Sequence, residues 1–198
     1  SNGTGVVIAI DGPGLTKQAS DLGAHVVGSA SDVSVAEFES AIRATNFTSV
    51  IVLPSALDNH AAATIAAHQL LAEGLRVFVL PTRTIPHSLA ALAVFHSDAD
   101  CTANIESMRR AAESTRSGCV LVTPSGAIEG YIDGLLFDSS YETSAEDMLS
   151  HVIDALLNEG GELVTVIVGA EGQMTHVNLM ADHVGVDFDF IEGGQATN

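Results

Sequence analysis

The chain has no tryptophan, only seven Lys and Arg among 198 residues, and only two cysteines. Each scarcity excludes something. With aromatics at 5%, there are few flat side chains on which bases or sugar rings could stack. Seven cations against 25 acidic residues leave a formal charge of −18, which repels a phosphate backbone and leaves few counterions to release. Nucleic acid is therefore not an expected partner. Cys101 and Cys119 are too few to staple a fold, and no His or Cys spacing matches a metal site. Both thiols read as small hydrophobes in a reducing compartment, and no metal is expected.

Long hydrophobic runs are missing as well. Gly, Pro or a charge interrupts every apolar stretch at strand length, far short of the roughly 20 residues that a membrane helix needs. The start shows no basic segment followed by an apolar one, as a secretion signal would. A cytoplasmic protein without an integral membrane segment is the expectation. Ser1 and Asn2 are set aside. No glycine run precedes a Lys-Ser/Thr pair, no dinucleotide fingerprint follows a strand, and no Gly-x-Ser-x-Gly elbow occurs, so no cofactor is expected and no familiar hydrolase geometry is encoded.

What is present is alternation. Val6–Ile10 is a short apolar run closed by Asp11-Gly12-Pro13-Gly14, the pattern of a strand buried on both faces. A short strand at His25–Val27 and a capping box of Ser34 with Glu37 follow. Ser49–Leu53 predicts a third strand, Asn59–Glu73 an alanine-rich helix, Arg76–Leu80 a fourth strand, and Pro86–Phe95 and Thr102–Ser114 two more helices. Strands alternating with helices imply an α/β fold, a parallel sheet with helices on both faces. After Gly118 the pattern changes to three short strand-like runs separated by Gly-containing turns, which signals hairpins. A helix to Leu157, a strand in "ELVTVIVGAEG", a helix in "THVNLMADHVG" and a strand in "DFDFIEGG" complete a smaller mixed α+β unit. The expected division is residues 3–117 and 118–198.

Two stretches repeat one arrangement: "VIVLPSALDNHAAA" from Val50 and "VFVLPTRTIPHSLA" from Val77. Each is an apolar run ending in Leu-Pro, then Ser or Thr, then a His five residues later. In an open parallel sheet, loops converge at the carboxyl edge of the strands, where ligands bind. Hydroxyls beside helix N-termini there can donate to a carboxylate or phosphate. They can equally serve as helix caps, with Pro ending the strand. Ser29, Ser55 and Thr82 are the candidate anion donors, with Asn59, His60 and His87 nearby in sequence. Gly193, Gly194 and Gln195 close the last strand, where paired glycines permit close backbone approach. His60 and His87 fall in the first turn of their helices, where a protonated imidazole is unfavourable, so neutral surface or interface histidines are expected.

The succession "VLPSALDNHAAATIAA", "VFVLPTRTIPHSLAAL", the acidic Ser97–Asp100, "NIESM" and "IEGGQ" resembles the C-terminal domain of the fatty acid kinase family, formerly called dihydroxyacetone-kinase-like or DAK phosphatase proteins. The likeness runs from Val6 to Gln195. It implies a DegV-like fold, a place after an upstream ATP-binding kinase domain in lipid metabolism, and a DegV-like fatty-acid-binding protein as partner. In those binders Ser and Thr at the sheet edges hold the acyl carboxylate, and Ser29, Ser55 and Thr82 stand at matching positions. Their Ser-Gly pair is replaced here by Asn59-His60, and their first-edge Asp-Ser-Thr by Asp11-Gly12-Pro13. The family usually adds one more short strand after Gln195, which implies an unfinished last edge. Fewer hydroxyls imply a domain that docks the acyl carrier rather than carrying the acyl chain. Fatty-acid or small-anion binding by this chain stands as the alternative. A phosphatase or hydrolase built on Asp11, Asp58 and His60 is a third reading, and a homodimer stays open.

Overall fold

A computed structural model describes residues 3–28, 32–158, 163–168 and 187–192, with side chains described up to residue 158. The chain forms two compact units, Ser1–Thr115 and Arg116–Asn198.

The first unit is built on four parallel strands, β1 (Thr4–Ala9), β2 (His25–Val27), β3 (Ser49–Leu53) and β4 (Arg76–Val79), in the order β2-β1-β3-β4. Every residue of β1 and β3 is buried, which explains why both are continuous apolar runs rather than alternating ones. The intervening helices are α1 (Pro13–Asp21), α2 (Val35–Ala44) and α3 (Leu57–Leu70), the last extended by a 3₁₀ turn, Leu71–Glu73. Right-handed crossovers dictate their sides. Passing from β1 to β2 and then back across β1 to β3 places α1 on one face and α2 and α3 on the other. Packing agrees: Val7, Ala9, Val50 and Val52 of the sheet form one core with Phe38 and Ile42 of α2 and Ala63, Ala66 and Leu70 of α3. The opposite face carries Val6, Ile8, Ile51 and Leu53, equally buried. The fold is α/β with a doubly covered parallel sheet.

Local chemistry sets the boundaries. Ser34 Oγ accepts from Glu37 N–H at 3.2 Å while Glu37 Oε2 accepts from Ser34 N–H at 2.8 Å, so the capping box that opens α2 is complete. Pro13 takes the first turn of α1, where its missing N–H costs nothing, and Gly23 at φ 87° ends the segment. After β4 come α4 (Ile85–Ala93), capped by Thr84, and α5 (Cys101–Ser114), capped by Asp100, and the two helices pack on each other.

The second unit holds an antiparallel sheet of β5 (Gly118–Val122), β6 (Ile128–Ile132) and β7 (Leu135–Ser140), with α6 (Ala145–Asn158) on one face. Side-chain-free positions let that helix approach. A Cβ on Gly118 would collide with Val152, and one on Gly130 would lie 2.9 Å from Met148 Sδ and from Val152 Cγ2. A parallel pair, β8 (Leu163–Val168) and β9 (Asp187–Glu192), completes the described elements. The helix expected in "THVNLMADHVG" lies outside the described residues. Among the described residues, no helix is long and apolar enough to cross a membrane.

Candidate functional site

The carboxyl edge of the first sheet gathers the loop after β3, the loop after β4 and the first turn of α4. Pro54 ends β3, and Ser55 follows with φ 60°, a left-handed conformation uncommon for a residue with a side chain. Its backbone N–H donates to Thr82 Oγ1 at 3.3 Å. Its hydroxyl donates to Ser88 Oγ at 2.8 Å, and Ser88 Oγ donates to Thr82 Oγ1, also at 2.8 Å. Ser55 is 4% exposed, Thr82 1% and Ser88 not at all. The three hydroxyls form a closed cluster that holds Ser55 in its turn and ties both loops to α4.

This arrangement decides what the edge can do. A hydroxyl offers one proton, and the protons of Ser55 and Ser88 are already given to neighbours inside the cluster. A carboxylate entering here would have to break a buried bond and would gain a single donor in exchange. Burial makes that exchange unfavourable, because a buried polar group left unpaired costs about 1–3 kcal/mol.

Asn59 is fully buried on the first turn of α3. Its Oδ1 accepts from Val33 N–H and its Nδ2 donates to Pro54 C=O, both at 3.0 Å. It therefore clamps the entry to α2 onto the end of β3. His87 is buried at the first turn of α4, its N–H capped by Thr84 Oγ1 at 3.4 Å. His60, half-buried one residue after Asn59, continues the helix ladder through Ala56 C=O. Ser55 and Thr82 thus meet directly and Asn59 braces the same loop. Ser29, Gly193, Gly194 and Gln195 lie outside the described residues.

Ser88 is the residue that sequence reasoning passed over. Its signal was the spacing Ser88, Ala91, Leu92 along the buried face of α4, which marks the serine as inward-facing. No group of three or more His, Cys, Asp or Glu among the described residues could hold a metal. Two surface depressions lie away from the edge. One of about 350 Å³ runs along α1, beside Lys17 and Asp21, and one of about 320 Å³ lies beside β7.

The FakA-like C-terminal family of fatty acid kinases matches residues 5–124. Protein YloV of Bacillus subtilis is 25% identical over 204 residues, covering 95% of this chain and 36% of its own length. An uncharacterized protein of Staphylococcus aureus strain USA300 is 24% identical over 209 residues, covering 97% of this chain and 38% of its own length. The chain thus spans a little over a third of the length of these curated relatives. Among solved structures, the DegV family protein Cg2579 of Corynebacterium glutamicum superposes with a TM-score of 0.68 at 14% identity, covering 98% of this chain and 90% of that one. The fold is DegV-like.

Proposed function

This chain belongs to the FakA-like C-terminal family of fatty acid kinases, and from that premise we propose that it is a non-catalytic docking domain. Its partner in this reading is a DegV-like fatty-acid-binding protein, presented to an upstream kinase domain that forms the acyl phosphate. The chain keeps the scaffold of an acyl binder while its carboxyl-edge hydroxyls serve the fold.

The observation that carries this reading is the closed cluster of Ser55, Ser88 and Thr82. Where a binder needs free donors for a carboxylate, this chain has donors engaged with one another. Asn59, in place of a further hydroxyl, is committed to Val33 and Pro54. What the scaffold retains is a stable body with surfaces for a partner.

The direct test is calorimetric titration of the purified chain with the DegV-like fatty-acid-binding protein of the same organism. Saturable one-to-one binding at tens of micromolar supports docking, and absence of heat at those concentrations overturns it. ATP hydrolysis measured in parallel is expected to stay at the buffer rate.

A further inference from the structure

We propose that the open face of the β5–β6–β7 sheet is a docking surface for a protein that is apolar at its centre and basic at its rim. The proposal rests on the docking role above and gives that role a place on the molecule.

The face is defined by what lies opposite it. Gly118 and Gly130 point at α6, where Val152 and Met148 leave no room for a side chain. Alternation along the strands then turns Cys119, Leu121, Glu129 and Tyr131 to the other side. The register pairs Cys119 with Tyr131, Leu121 with Glu129, and Tyr131 with Leu136, and inserts Phe137 as an unpaired residue at a bulge. The solvent face of a half-covered antiparallel sheet ordinarily carries polar residues. Here Leu121 is 53% exposed, Leu136 58% and Phe137 47%. Neighbouring large apolar side chains left open in this way mark an interaction surface.

Charge selects the occupant. Residues 116–198 hold fourteen Asp and Glu against one cation, Arg116, whose Nε lies 2.6 Å from Asp133 Oδ2. On the open face itself, Glu129 Oε2 accepts from the Tyr131 hydroxyl at 2.6 Å. Asp138 and Glu142 are exposed along and just beyond β7. A second copy would set two strongly acidic units against each other, and an anionic membrane would be repelled in the same way. A protein carrying Lys and Arg around an apolar centre meets both features at once.

The test uses the whole chain and, as probe, the DegV-like fatty-acid-binding protein of the same organism, titrated by calorimetry. Leu121→Asp/Leu136→Asp is expected to weaken binding at least 30-fold. A second pair, Leu121→Ser/Leu136→Ser, removes the apolar centre without adding charge and is expected to weaken binding about tenfold. Circular dichroism checks that each variant folds. The control Leu57→Asp/Ile65→Asp alters exposed positions on α3 and should change affinity less than twofold. Raising NaCl from 50 to 300 mM should weaken wild-type binding about tenfold, as screening of complementary charge requires. Wild-type affinity retained by both open-face variants overturns this surface while leaving the docking role intact. A wild-type chain that binds nothing overturns both. A salt-independent affinity, or a wild-type dimer that the open-face variants dissolve, overturns the basic partner as occupant.

Discussion

The hydroxyl of Ser55 donates to Ser88 Oγ across 33 positions of sequence, at 2.8 Å, in a site that solvent does not reach. Ser88 in turn donates to Thr82, so one serine on α4 completes the hydrogen bonding of two loops. Ser88→Ala leaves the Ser55 hydroxyl without its acceptor and Thr82 without one of its donors. The expected loss is about 1–3 kcal/mol of stability, read as a lower urea midpoint with an unchanged slope. An effect below about 0.5 kcal/mol would mean that the cluster does not hold the edge together.

Asn59 gives a second prediction. Asn59→Ala strands both the Val33 N–H and the Pro54 carbonyl in a buried place, at a cost of about 2–4 kcal/mol for the two groups. Asn59→Asp keeps an acceptor for Val33 but sets a carboxylate oxygen against the Pro54 carbonyl. Burial raises the pKa of the introduced carboxyl, so the variant is least destabilised when that group is protonated. Its deficit relative to wild type grows as the pH rises above the ordinary aspartate value of about 3.9. Urea unfolding at pH 4 and pH 7 separates the two substitutions.

The capping box supplies a pH dependence. The hydrogen bonds from the Ser34 hydroxyl and backbone N–H hold the Glu37 carboxyl below its ordinary value. A group whose pKa is lower folded than unfolded adds stability above its unfolded value, about 4.3, and loses that contribution as the pH falls through the folded value. Ser34→Ala should therefore narrow its stability gap to wild type between pH 6 and pH 3. A gap that stays constant over that range would show that Glu37 does not report through Ser34.

Much of this architecture is legible in the residues. Ser49–Leu53 and His25–Val27 are short apolar runs between breakers, and both strands occupy those positions. Ser34 and Glu37 announce a helix start that no tertiary contact displaces. The start of α3 reads differently: Asn59 resembles an N-cap, yet the helix begins at Leu57 after Ala56, which makes no side-chain cap. The asparagine is used across the fold, where its amide satisfies Val33 and Pro54. Ser55 and Thr82 are legible as edge hydroxyls, but their pairing through Ser88 depends on the angle at which α4 returns to the sheet. Local sequence does not encode that angle. The open face of the hairpin sheet is hidden for a related reason, because Leu121 and Leu136 look like core residues until Gly118 and Gly130 reveal which side α6 covers.

Whether the carboxyl edge is closed to an acyl carboxylate is decided by titrating the purified chain with oleate, by calorimetry and by native mass spectrometry, beside Ser55→Ala/Thr82→Ala. With the edge hydroxyls bound to one another, neither protein should form a one-to-one complex at oleate concentrations up to about 100 μM. A saturable complex with the wild-type chain that disappears in the double variant would contradict the closed cluster, because it would show the edge opening to receive the ligand.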